Sequence, residues 1–113
     1  MLPTKKIRIF ASLEEAAKAV PAGTLRKLRI GETLLCLAHT PQGFMAMADT
    51  CPHQQASLSG GVLDVRLQVV CPFHHYRYSL HTGEEASRRT APVQTYVVES
   101  SEEGVFVHLP QKK

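Results

Sequence analysis

Two short segments, Cys51-Pro-His53 and Cys71-Pro-Phe-His74, each carry one thiol and one imidazole, with residues 54–70 between them. Thiolate and neutral imidazole are both good ligands for iron and zinc. In the order C-x-H…C-x-x-H they suit a [2Fe–2S] cluster with mixed ligation. One iron would take Cys51 and Cys71, and the other would take His53 and His74. A structural zinc site is the competing reading, because Cys2His2 ligation is common for that metal. Zinc fingers usually separate the members of each pair by two to five residues and carry the second pair on a helix. Here a single proline separates the first pair, and strand patterns flank both. Iron with acid-labile sulfide and a red-brown colour would decide between the two.

Such loops need a rigid body beneath them, and the surrounding pattern supplies one. Ser12-Leu13-Glu14-Glu15 reads as a capping box, Ser12 capping and Glu15 reaching back. Leu13, Ala16, Ala17 and Val20 then share one helical face until Pro21 and Gly23 end the run. Beyond this short helix the period changes to two. Thr24–Arg29, Glu32–His39 and Phe44–Ala48 read as strands, the last two joined by the hairpin loop Thr40-Pro41-Gln42-Gly43. Leu34–Ala38 is apolar on both faces, as an interior strand would be, and Cys36 within it reads as a buried thiol. Val62–Asp64, Leu67–Val70 and Arg77–Leu80 are shorter candidates around the ligand segments. Gln94–Glu99 and Val105–Leu109 flank a second hairpin signal at Ser100-Ser101-Glu102-Glu103-Gly104. Only Met1–Lys6 and Gln111–Lys113 are expected to fray. Many short strands with turn residues between them predict a small all-β domain.

The four candidate ligands are not alone. Leu58-Ser59-Gly60-Gly61 follows the first pair, and Tyr78, Thr82-Gly83 and Pro92 follow the second. In these features the chain resembles the Rieske-type [2Fe–2S] ferredoxins, in a register running from about Gly23 to Leu109. The resemblance implies stacked antiparallel sheets with a cluster-binding subdomain at about residues 49–83 and one short N-terminal helix, the whole of 1–113 forming a single domain. It implies Cys51, His53, Cys71 and His74 as the cluster ligands. Rieske proteins of respiratory bc complexes carry an extra cysteine in each loop. Here Phe73 and the Gln54-Gln55-Ala56 segment stand instead, which favours the soluble ferredoxin and nitrite reductase small-subunit branch.

Two neutral imidazoles in place of two thiolates remove negative charge from one iron. The oxidised unit is then formally neutral and the reduced unit singly negative, which eases reduction. Rieske potentials accordingly run from about −150 to +300 mV, against about −400 mV for plant-type ferredoxins. The bc-complex proteins join their extra cysteines as a disulfide beside the cluster, and without it a value in the lower half of that range is expected. Histidine ligands near the surface would let the potential fall as pH rises. Tyr78 is placed to reach a cysteine sulfur, or simply to pack beneath the cluster. The resemblance selects His74 over its neighbour His75, leaving His75 as a surface or packing residue. Pro52 and Pro72 stiffen the loops, and Gly60 and Gly61 allow close backbone approach to the inorganic core or simply form a tight turn.

Composition narrows the role further. Three cysteines, two of them assigned as ligands, do not make a disulfide scaffold. A formal net charge of +3, spread over small basic groups and offset by Glu84-Glu85 and Glu102-Glu103, argues against a nucleic-acid partner. Those charges read as solvated faces, with steering toward an acidic redox partner as the lesser reading. No apolar run approaches the ~20 residues of a membrane span, and the first residues lack a signal-peptide pattern. A soluble cytoplasmic location is expected. No His pairs with a nucleophile and an orienting acid, so the expectation is a one-electron carrier and not an enzyme. Its partners would be a reductase as donor and an oxygenase or nitrite reductase as acceptor.

Overall fold

A computed structural model describes residues 4–52 and 55–110, and among them are ten strands, one α-helix and one 3₁₀ turn in three sheets. Strands β2 (Leu25–Ile30), β3 (Thr33–Thr40) and β4 (Gly43–Ala48) form a meander, with β8 (Thr95–Tyr96) on its far edge. The predicted Thr40–Gly43 loop closes the β3–β4 hairpin. Thr40 Oγ1 donates to the Gly43 carbonyl at 2.7 Å and accepts the Gln42 N–H at 3.0 Å.

β3 shows why both its faces had to be apolar. Side chains on a strand alternate between faces, and each face of β3 meets a different core. Leu35 and Leu37 point to one side, toward the helix and the sheet made by the chain ends. Cys36 and Ala38 point to the other, toward the ligand loops. β4 repeats the split, with Phe44 and Ala46 on the first side and Met45 and Met47 on the second. Each fully buried Leu or Met contributes roughly 1.5–3 kcal/mol, so this central sheet ties two layers together.

The first layer is a sheet of β1 (Thr4–Phe10), β10 (Gly104–Pro110) and β9 (Val98–Ser101), in the order β1-β10-β9. Here the reading of Met1–Lys6 as a fraying end is corrected for its described part. Thr4, Lys5 and Lys6 pair with Pro110, Leu109 and His108. Consecutive charges hide the strand, and its partner lies at the opposite end of the sequence. Lys6 Nζ rests 2.8 Å from Glu99 Oε2 and 4.5 Å from the Phe106 ring centre. Met1–Pro3 and Gln111–Lys113 lie outside the described residues.

The predicted strand Gln94–Glu99 is two strands. β8 pairs with β4, then the chain turns at Val97, 68% exposed, and β9 pairs with β10. A strand that changes sheets makes the corner between stacked layers, and an apolar pattern alone does not reveal where it bends. Helix α1 (Leu13–Ala19) starts where expected, Ser12 Oγ accepting the Glu15 N–H at 3.0 Å. Its buried stripe is narrower than predicted. Ala16 and Val20 are fully buried, whereas Leu13 and Ala17 face out.

The second layer is the small sheet β5 (Val62–Leu63), β6 (Gln68–Val70), β7 (Arg77–Ser79), preceded by the 3₁₀ turn Leu58–Gly60. Leu58, Val69, Tyr78, Leu80 and Val93 pack with Cys36 and Met47 into its core. Stacked antiparallel sheets with one helix are the fold class that the sequence predicts.

Candidate metal centre

Two loops of one design follow, the first beyond β4 on the Thr50–Ser57 bridge and the second between β6 and β7 of the small sheet. In the first, the Cys51 N–H donates to the Ala56 carbonyl at 2.8 Å, and the Gln55 N–H donates to the Cys51 carbonyl at 2.7 Å. In the second, the Cys71 N–H donates to the Tyr76 carbonyl at 2.8 Å, and the His75 N–H to the Cys71 carbonyl at 3.1 Å. Each loop thus closes on its own cysteine with the same pair of bonds. Each also places its fifth residue in the left-handed region, Gln55 at φ 54° and His75 at φ 60°. Non-glycine residues adopt that conformation at a cost of about 1 kcal/mol, and the two closing bonds hold them there.

Cys51 and Cys71 are both fully buried, lie within hydrogen-bonding reach of each other, and form no disulfide. Burial pushes the Cys71 thiol up. The backbone N–H groups of Phe73 and His74, aimed at its sulfur, pull it down, and the adjacent Cys51 thiol raises it again. A buried thiol pair resists losing its protons to water, and a metal cation supplies the charge that replaces them. Donors already directed at sulfur favour the thiolate. The donor set therefore fits an iron–sulfur group better than an inert pair of core thiols. His74 is exposed on the second loop, three positions beyond Cys71. Among the described residues no three His, Cys, Asp or Glu side chains converge on one point. His53, the fourth predicted ligand, lies outside the described residues.

Gly61 brings the loops together. A Cβ there would stand 1.8 Å from the carbonyl oxygen of Val70, the residue before Cys71. Only glycine lets the first loop's exit lie against the second loop's stem. Gly60 has no such neighbour, since a Cβ there would meet only Pro72 Cγ at 4.0 Å.

Two buried carboxylates brace the loops, and neither stands out in the sequence. Asp49 accepts the Ser59 N–H at 2.8 Å and the Ser57 hydroxyl, while Lys27 Nζ stands 3.6 Å away. This staples the two stems of the first loop. Glu85, 2% exposed, accepts Arg89 Nε at 2.9 Å and its terminal nitrogen at 2.7 Å. The Arg89 guanidinium lies 3.6 Å from the centre of the Tyr76 ring, covering the end of the second loop. The Arg89 bonds hold the Glu85 carboxyl at about 2, well below the usual range. The expectation of solvated charge at Glu84-Glu85 thus holds for Glu84, paired in the open with Arg88, and fails for Glu85. Four-residue spacing is the one signal the pair leaves in the sequence, and it is common to exposed pairs.

Tyr78 is fully buried, its hydroxyl 3.4 Å from Cys51 Sγ and 3.3 Å from Thr90 Oγ1. Burial and then the Cys51 contact push its pKa up, so it stays protonated at neutral pH. Cys36 is buried on β3 as expected, raised to about 12 by burial and then by the Asp49 charge. His39 stacks on Phe44 and sits 2.7 Å from the Val20 carbonyl, and His108 meets Glu99 at 3.3 Å, both ordinary strand residues.

Residues 12–97 match the Rieske [2Fe–2S] domain. Ferredoxin CarAc of Metapseudomonas resinovorans is 38% identical over 94 residues, spanning 81% of this chain and 87% of that one. The ferredoxin in a complex of reduced oxygenase and oxidized ferredoxin of carbazole 1,9a-dioxygenase superposes with a TM-score of 0.74 at 35% identity, covering 89% and 99% of the two chains. A protein described as an NADH-dependent nitrite reductase small subunit from Mycobacterium tuberculosis shares the fold alone, with a TM-score of 0.80 at 16% identity over 96% and 98%. Matched loops, facing thiols and these likenesses agree, and the chain belongs to the Rieske [2Fe–2S] domain family.

Proposed function

We propose that this chain is the ferredoxin component of an oxygenase system, with its [2Fe–2S] cluster held by Cys51, His53, Cys71 and His74. When bound, the cluster takes up and gives back one electron. The protein's part is to hold two thiolates away from water, to direct the Phe73 and His74 N–H groups and the Tyr78 hydroxyl at their sulfurs, and to keep His74 at the surface where a partner docks. The observation that carries this reading is the pair of buried, unbridged cysteines brought face to face by two loops of one design. The likeness to the ferredoxins of carbazole dioxygenase favours an oxygenase as acceptor. A nitrite reductase acceptor has only a shared fold behind it. Residues 1–113 act as one domain in this reading, with no catalytic centre of their own.

Three cysteines without a disulfide suit a reducing compartment, and none of the described helices is long and apolar enough to cross a membrane. We place the work of the protein in the cytoplasm. The test is paramagnetic resonance of the purified, dithionite-reduced protein. A mixed-valence diiron signal is expected, abolished by Cys51→Ser and by His74→Ala and kept by Cys36→Ser. Loss of the signal in Cys36→Ser, or its survival in His74→Ala, would overturn the ligand assignment.

A further inference from the structure

Tyr78 has one proton and two neighbours, and counting protons assigns a role to Thr90. A cysteine sulfur that ligates iron carries no hydrogen, so the bond at 3.4 Å between Tyr78 and Cys51 must be donated by the tyrosine. The phenol oxygen is then a buried acceptor, and its other described contact is Thr90 Oγ1 at 3.3 Å. Thr90 also has a choice, because its hydroxyl lies 2.9 Å from the Ala91 carbonyl. One hydrogen cannot serve both fully. Ala91 is exposed, so water can satisfy its carbonyl, whereas no water reaches the buried Tyr78 oxygen. Leaving a buried acceptor unmet costs its full desolvation. The lower-energy arrangement sends the Thr90 proton inward.

We infer that Thr90 is a positioning residue for electron transfer, its half-buried hydroxyl donating to Tyr78 so that Tyr78 donates to the Cys51 sulfur. Chained hydrogen bonds polarise one another, so Thr90 strengthens a donor that stabilises added negative charge at the sulfur. The inference rests on the cluster assignment proposed above. It goes beyond it by naming a residue that touches neither iron nor sulfur and still sets the reduction potential.

The test is protein-film voltammetry of the holoprotein at one pH, comparing wild type with Thr90→Val, Thr90→Ser, Tyr78→Phe and the Thr90→Val/Tyr78→Phe double variant. The visible spectrum of each variant checks that its cluster is intact. Thr90→Val should lower the potential by less than Tyr78→Phe does. Thr90→Ser, which keeps the hydroxyl, should stay at the wild-type value. Thr90→Val should change nothing further once Tyr78 is Phe. A potential that rises or stands still in Thr90→Val, or falls equally in the Tyr78→Phe background, overturns the relay. A wild-type protein with no one-electron wave overturns the cluster assignment itself, and the relay with it.

Discussion

The two candidate ligand loops close on their cysteines in the same way but with different supports. The first is braced from within, since Asp49, Ser57 and Ser59 all belong to its own stems. The second is braced from outside, by a Glu85–Arg89 pair that follows β7 and lays a guanidinium on Tyr76. The closing bonds and the left-handed fifth residue are common to both. What the site needs is therefore the loop geometry, and any buried carboxylate with satisfied oxygens can enforce it. The supports differ in how the cation engages, because Lys27 only approaches Asp49 at 3.6 Å while Arg89 makes a two-pronged contact with Glu85.

The largest expected effect breaks the junction between the loops. Gly61→Ala puts a methyl group 1.8 Å from the Val70 oxygen, so at least ~3 kcal/mol of stability should go, read by urea unfolding. Gly60→Ala, one residue earlier, should stay within about 0.5 kcal/mol of wild type. Equal losses from the two would mean that the close approach at Gly61 is unimportant.

Next in size is a comparison of the braces. Asp49→Ala strands the Ser59 N–H and leaves the Ser57 hydroxyl only Ser59 Oγ as a partner, and should cost about 1–3 kcal/mol, with faster amide exchange at Cys51 and Gln55. Glu85→Gln weakens the Arg89 contact, which is partly open to solvent. It should cost about 1–2 kcal/mol, with faster exchange at Cys71 and His75 instead. Exchange that quickens in both loops for either variant would show that the two braces are one cooperative unit.

The second brace also has an acid limit. Glu85 is held at about 2 when folded, against an ordinary value of 4.5. A carboxyl depressed by folding contributes stability above its unfolded pKa and loses it as pH falls through the folded one. The difference in stability between wild type and Glu85→Gln should thus be full above pH 4.5 and vanish on the way to about pH 2, followed by chemical unfolding at each pH. A constant difference across that window would remove the ion pair from the account.

The smallest effect tests the likeness of the loops. His75→Gly and Gln55→Gly each relieve a left-handed residue and, after the added chain entropy of glycine, should stabilise by about 0.5 kcal/mol. Unequal gains would mean that one loop is strained and the other is not.

Much of the fold is legible in the sequence. Alternating apolar residues locate β2, β3 and β4, a doubly apolar run marks β3 as the middle layer, and Ser12 marks the helix start. Those signals are local, set by strand and helix periods within a few residues. β1 is not legible in this way, because its charged residues pair with a strand about a hundred positions away. Nor is the bend at Val97, because an apolar run looks the same whether it serves one sheet or two.

The same division runs through the site. Residue type and spacing along the chain are enough to pick out the candidate ligands, since a thiol or an imidazole keeps its affinity for metal wherever it sits. Asp49, Glu85, Arg89 and Thr90 are polar residues of common types, and only burial, their own or their partner's, makes them matter. Burial is a property of the packed layers: the tertiary structure alone decides which carboxylate loses its water and which hydroxyl faces a tyrosine instead of solvent.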